Sequence, residues 1–213
     1  MQHQTITKVE DIVFQYPHHR EAVKELISIF REKEGVIALV FGGSVAKHME
    51  REDSDIDAMV IVTEEFYERK RKVNCIAECI SMGDCAYPGG YFDVKYMTKD
   101  YIRDAAEKGS EPTRNSFIGS HVLFSADEEV TELVRRIPVF QKQEFEEKML
   151  SFFSNLQLNY NYFWKACRPE GYMKLKVASE IVYSLYRMVL QENEILFPCN
   201  RRLEQFVKLA PDQ

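Results

Sequence analysis

Hydrophobic and polar positions alternate along this chain in patterns that locate its elements. Val23, Leu26, Ile27 and Phe30 recur at helical spacing, with Glu21, Lys24, Glu25 and Arg31 on the other face, which predicts a helix over 19–33. Gly35 breaks it, and 36–41 is a short unbroken apolar run of the kind that forms a buried strand. After Gly42-Gly43-Ser44 comes a short helical piece, "SVAKHMERE", and then a second apolar strand over 55–62. The spacing next predicts one helix over 64–82, closed by Gly83, and a loop in "GDCAYPGG". The run "YFDVKYM" alternates, with Phe92, Val94 and Tyr96 on one face and Asp93, Lys95 and Met97 on the other, so it is a third strand. A helix over 99–107, a loop in "GSEPTRN" and an edge-like strand in "SHVLFS" follow.

From residue 127 onward the strand pattern stops. Helices are predicted over 127–137, 141–167, 172–192 and 200–208, punctuated by Pro138, "RPEG" at 168–171 and Pro198. The shift near residue 126 predicts two domains, 1–126 and 127–213. The fold class is α/β (α+β), with an all-helical C-terminal domain. On the 172–192 helix, Leu175, Ala178, Ile181, Val182, Leu185 and Met188 form an apolar side expected to pack inward. Lys176, Glu180, Ser184 and Arg187 form a polar stripe expected to be solvated, the competing reading being a cleft face with Glu180 as a base. The aromatics Phe152, Phe153, Tyr160, Tyr162, Phe163 and Trp164 read as core in preference to an acceptor pocket.

Composition narrows the function classes. The chain has 213 residues, 45% hydrophobic and 29% charged, with no apolar run near the length of a membrane span and no signal-like N-terminal core, which predicts a cytoplasmic protein. Its five cysteines are odd in number and irregularly spaced, favouring free thiols over a disulfide framework. Cys75 and Cys79 stand four apart on a predicted helix, with Cys85 beyond, but a thiolate metal site there would lack a fourth ligand. A net charge of −6, with "ERKRK" as the longest basic cluster, weighs against a polynucleotide partner. A single nucleotide is a different matter, because metal ions can carry the positive charge.

The candidate chemistry lies between the first two strands. Side chains two apart on a strand share a face, so Asp55 and Asp57 emerge together, and unpaired like charges that close raise each other's pKa. A hard cation such as Mg²⁺ relieves this, and Asp93 on a neighbouring strand supplies a third carboxylate. Three acidic ligands around two metals suit in-line phosphoryl or nucleotidyl transfer. Gly42-Gly43-Ser44 sits where strand gives way to helix, a place that offers free N–H groups to a phosphate, with Ser44 able to donate its hydroxyl or cap the helix. Neither a P-loop nor a Rossmann fingerprint is present. Lys95 shares a face with Asp93 and is placed to touch phosphate, to partner the carboxylate or to run out to water.

An apolar strand, G-S, a short helix and S-D-I-D opening a second apolar strand together resemble the nucleotidyltransferase superfamily that includes DNA polymerase β. The matching residues are Gly43, Ser44, Asp55 and Asp57, with Asp93 as the later strand carboxylate, over 36–97. The helical second half is similar to that of small bacterial members such as aminoglycoside and lincosamide nucleotidyltransferases. A departure is Val45-Ala46-Lys47, where many relatives place an arginine nearby.

The resemblance implies a small mixed sheet flanked by helices. It also implies transfer of a nucleoside monophosphate, AMP foremost, from a nucleoside triphosphate to an acceptor by a two-metal-ion mechanism with Mg²⁺. Asp55, Asp57 and Asp93 would be the catalytic and metal-binding residues, and Gly43 and Ser44 the nucleotide-binding ones. The acidic balance makes the expected acceptor a hydroxyl on a small molecule, an antibiotic among the candidates, ahead of a protein. The rival reading is a non-catalytic nucleotide-binding or antitoxin-like regulatory module of the same fold.

Overall fold

The computed structural model describes residues 2–211. In chain order the first elements are β1 (Gln4–Thr5), α1 (Pro17–Arg31), β2 (Val36–Gly42), α2 (Gly43–Ala46), β3 (Ile56–Val62), α3 (Glu64–Lys72) and β4 (Ala77–Ile80). They are followed by β5 (Phe92–Thr98), α4 (Lys99–Lys108), α5 (Glu111–Ser116), β6 (His121–Ser125) and α6 (Glu128–Arg136). The strands form one mixed sheet in the order β1-β6-β2-β3-β5-β4. β2 is antiparallel to β3, whereas β3 and β5 run parallel with Asp57 opposite Asp93. The end of β2 and the starts of β3 and β5 therefore meet at one end of the sheet.

Both faces of the sheet are covered, which explains why β2 and β3 read as continuous apolar runs instead of alternating ones. Leu39, Phe41, Ala58, Val60 and Val94 pack against Ala22, Val23, Leu26 and Phe30 of α1 and Phe66 of α3. On the other face, Ala38, Val40, Met59 and Ile61 pack against Ile102 and Ala105 of α4 and Val130, Leu133 and Val134 of α6. The described residues divide into two compact units, with the break between Pro138 and Val139. α6, which the sequence pattern assigned to the helical half, lies with the sheet because its apolar stripe completes this second layer.

Three sequence expectations are corrected here. The helix expected over 64–82 ends at Lys72: Asn74 takes a left-handed backbone, φ 54°, and the chain returns as β4, antiparallel to β5. The four basic residues Arg69 to Lys72 favour that stop by facing the helix's negative end. Cys75 and Cys79 consequently share no helix face; Cys79 is on the strand, and the Cys75 thiol donates to Glu78 Oε2 at 3.0 Å. "GSEPTRN" is not loop but α5, with the Ser110 side chain accepting from Thr113 N and Pro112 in its first turn. Arg114 of α5 is 1% exposed and donates to the carbonyls of Gly109, Ile137 and Ala106. β6 is not an edge, since the two-residue β1 pairs outside it.

The second unit contains α7 (Phe145–Gln157), which continues as a π-helical stretch over Leu158–Ala166, then α8 (Gly171–Glu192) and α9 (Leu203–Leu209). Its polarity is inverted relative to the expectation for the 172–192 helix. Ser184 and Arg187 are buried, whereas Leu175 is 74% exposed and Val182 and Leu185 are exposed as well. The Arg187 guanidinium lies 4.2 Å from the Phe197 ring centroid and 4.5 Å from that of Phe152, and it donates to Tyr183 Oη at 2.8 Å. Flat aromatic faces bury a flat cation well. Asn155 Nδ2 donates to Ser184 Oγ at 2.8 Å and reaches Glu180 Oε2 at 3.4 Å, so the small, polar side of α8 is the one that α7 meets. Lys176 stays exposed. The aromatics expected to be core are not: Phe153, Tyr160 and Tyr162 are exposed, and Phe152, Phe163 and Trp164 only partly buried.

Candidate active site

The site is built where β2 ends. The backbone turns from strand into α2 through Gly43, whose φ is +74°, and a Cβ at that position would lie 1.9 Å from Asp57 Oδ2. Glycine is required twice over, by the left-handed conformation and by the carboxylate pressed beneath it. The sequence explained this glycine by the approach of a phosphate, but the group it makes room for within the fold is Asp57. Ser44 does not cap α2: the N-cap is Gly42, without a side-chain cap. The Ser44 carbonyl instead accepts from Lys47 N and Met49 N, closing the turn, and its side chain remains partly exposed. Lys47 Nζ donates to the Asn115 carbonyl at 2.7 Å and to Asn115 Oδ1 at 3.1 Å.

Asp57 and Asp93 are register partners on the parallel strands β3 and β5, on the sheet face that α4 and α6 cover farther along. The covering stops short of them, leaving their side chains 28% and 29% exposed. Lys95, two residues along β5 and so on the same face, lies between them. Its ammonium donates to Asp57 Oδ1 at 3.0 Å and to Asp93 Oδ2 at 2.7 Å. Burial pushes the Asp57 carboxyl up from its ordinary value; Lys95 opposes this, while the charges of Asp55 and Asp93 add to it. Burial disfavours the charge on Lys95, but its hydrogen bonds and attraction to Asp93 and Asp57 outweigh that and hold its pKa above the ordinary value.

Asp55 stands one residue ahead of β3, partly buried, in a loop fixed by its neighbours. Ser54 Oγ accepts from Arg51 N at 2.9 Å, and the Ser54 carbonyl accepts from Tyr87 Oη at 2.6 Å. Ile56 N donates to the Tyr91 carbonyl, joining this loop to the start of β5. The Tyr91 phenol is pushed up, chiefly by hydrogen bonding to Asp55. Asp57 and Asp93 thus share one lysine at this end of the sheet, and Asp55 stands one residue ahead of β3, its charge felt by the Tyr91 phenol. Among the described residues, no three His, Cys, Asp or Glu side chains are gathered as a metal cage. The pair Asp57 and Asp93 nevertheless suits a hard cation: two carboxylates already hold an ammonium between them. A cavity of about 470 Å³ lined by Arg31, Lys33, Thr63 and Arg69 opens at the far end of β2 and β3 and shares no residue with this cluster.

Tyr87, Tyr91 and the bridging action of Lys95 were not assigned from sequence. Only the alternation in "YFDVKYM" pointed to Lys95; the two tyrosines sit in the loop around "PGG", where no periodicity exists to place them.

Residues 23–110 match the family model of the nucleotidyltransferase domain. That segment runs from α1 through the Gly43 turn and the three carboxylates to the end of α4. Within the first unit, residues 23–110 are therefore similar to a nucleotidyltransferase domain. Among solved structures, a nucleotidyltransferase-like protein from Exiguobacterium sibiricum 255-15 is similar at TM-score 0.47 and 9% identity, covering 90% of this chain. The chain spans only 62% of that protein's length. Spectinomycin adenyltransferase AAD(9) from Enterococcus faecialis, with ATP and spectinomycin, is similar at TM-score 0.32 and 13% identity, over 89% of this chain and 96% of that one. A toxin-antitoxin structure with AMP-PNP gives TM-score 0.30 and 11% identity, over 68% of this chain and 98% of that one. These likenesses are too slight to bear on substrate or partner. No curated protein matches the sequence. No helix among the described residues is long and apolar enough to cross a membrane.

Proposed function

We propose that this protein transfers a nucleoside monophosphate, AMP foremost, from a nucleoside triphosphate to a hydroxyl group of a small-molecule acceptor. The observation that carries the reading is the convergence of Asp57 and Asp93, in register on parallel strands, with the Gly43 turn packed directly on Asp57. It is supported by the family match over the same residues.

In this reading Asp55, Asp57 and Asp93 hold divalent metal, Mg²⁺ by the hardness of the donors, and Gly43 and Ser44 receive phosphate. Metal there supplies charge neutralisation for the phosphates and a lowered pKa for the attacking hydroxyl. The chain's own part is to position and to keep charge in place. The sheet fixes the separation of Asp57 and Asp93, so little reorganisation is left for the reacting state. Gly43, having no side chain, lets the α2 turn sit directly against Asp57. Asp93, a partly exposed carboxylate beside Asp57, accepts the acceptor's proton. The net charge of −6 argues for a small acceptor over a polynucleotide.

Calorimetry with ATP tests the binding half of the proposal. Binding is expected to tighten at least tenfold when Mg²⁺ replaces chelator, and Asp93→Asn should remove most of that gain. Equal affinity with and without the metal would contradict the assignment of the carboxylates. A regulatory module of the same fold would bind nucleotide and leave it intact, an outcome that turnover measurements separate from this one.

A further inference from the structure

Lys95 lies between Asp57 and Asp93, and its surroundings permit it to leave. Its main chain is held on both sides, opposite Met59 of β3 and Ala77 of β4. Ala77 is small and exposed, and the Lys95 side chain is 41% exposed, so the long stem has room on the β4 side to swing outward. The ammonium, by contrast, is bound at both ends of its reach, at 3.0 Å to Asp57 and 2.7 Å to Asp93. These are the oxygens a metal ion would need. An ammonium and a divalent cation cannot share one pair of carboxylates without strong repulsion at contact distance.

We infer that Lys95 is a resident counter-ion of this site, displaced when metal enters, and that the displacement couples metal uptake to nucleotide. The inference rests on the nucleotide-transfer reading above. Without nucleotide, a metal ion must break two short charge-assisted hydrogen bonds and turn an ammonium out into water. A triphosphate changes the balance, because it brings anionic oxygens that attract both the metal and the released ammonium. Metal and nucleotide then strengthen each other's binding, and by linkage the coupling is the same from either side. The chain would take its metal together with nucleotide and leave the carboxylates closed on Lys95 in between.

The test uses Mn²⁺ as probe, with free ion counted by electron paramagnetic resonance, on wild type, Lys95→Met and Lys95→Gln. The wild type is expected to bind Mn²⁺ weakly alone and at least tenfold more tightly with a non-hydrolysable ATP analogue. Both variants are expected to bind nucleotide-free Mn²⁺ at least tenfold more tightly than wild type and to lose most of the coupling. Their melting temperatures should fall in chelator and recover with Mg²⁺, whereas that of the wild type barely moves. Melting in chelator also shows whether Lys95→Met folds; if it does not, Lys95→Gln and the wild-type coupling decide the matter. If the folded variants bind nucleotide-free Mn²⁺ no better than wild type, while wild type still binds the metal–nucleotide pair, Lys95 is a structural ion pair and the inference is wrong although the site reading stands. If wild type binds Mn²⁺ neither alone nor with nucleotide, the site reading fails and this inference with it.

Discussion

Asp57→Asn is expected to reduce nucleotide transfer on the order of 10³-fold or more while leaving the metal-free protein as stable as wild type, or more so. The separation of the two effects follows from the environment of Asp57. Its carboxyl is pushed above the usual range, first by burial, so at neutral pH its charge opposes folding even with Lys95 beside it. The sign follows by linkage. A carboxyl with a raised folded pKa favours the folded state below its unfolded value, near 3.8, and loses that contribution as pH rises through the folded value. Asparagine removes the charge, keeps the shape and retains an oxygen to accept from Lys95, so melting in chelator should not drop. It cannot replace an anionic metal ligand, so turnover should collapse. A purely structural aspartate would behave in reverse, melting earlier by roughly 1–3 kcal/mol of lost hydrogen bonding, with activity following only the folded fraction. Paired melting curves and turnover measurements on the two proteins distinguish these cases.

Gly43→Ala should be the most damaging small substitution at the site. The backbone there has φ +74°, which costs an alanine about 1–2 kcal/mol, and its Cβ would sit 1.9 Å from Asp57 Oδ2. Relief requires moving either the α2 turn or the Asp57 side chain, and the second has nowhere to go but toward Lys95 and Asp93. Overpacking of this kind adds about 1–3 kcal/mol, so a total loss of about 2–5 kcal/mol is expected in chemical denaturation. Mg²⁺-dependent nucleotide binding should be lost as well, even under conditions where the variant is folded. The double variant Gly43→Ala with Asp57→Ala removes the clashing carboxylate and should regain the steric part of the stability without regaining nucleotide binding. A Gly43→Ala protein as stable as wild type would contradict the packing on which this account depends.

The parts of the fold legible in the sequence are those where one periodicity dominates. The α1 stripe and the runs of β2 and β3 were placed to within a few residues because each buries a whole face or both faces. β5 was legible through its alternation, which also put Asp93 and Lys95 on one side. What pattern could not supply was the register between neighbouring strands. The register of Asp57 on Asp93, and hence the lysine bridge, is a long-range property of the sheet. β4 was hidden because "RKVNCIAECI" carries helix formers through the stop at Lys72, and only the left-handed Asn74 turns the chain back. α5 was hidden because Gly, Ser and Pro suggest a loop, although Ser110 and Pro112 are also what a helix start requires. The inverted polarity of α8 has the same origin. A binary pattern scores Arg187 as polar, whereas three aromatic rings and a tyrosine hydroxyl make the interior its better solvent.

The fate of the α-phosphate decides whether a nucleotidyl group moves. Wild-type protein would be incubated with Mg²⁺, ATP labelled at either the α- or the γ-phosphate, and a panel of hydroxylated small molecules. The account predicts that α-label becomes attached to an acceptor while γ-label leaves as pyrophosphate, and that chelator or Asp57→Asn stops both. Transfer of γ-label to the acceptor, or tight nucleotide binding with no α-label moved to any compound, would contradict it.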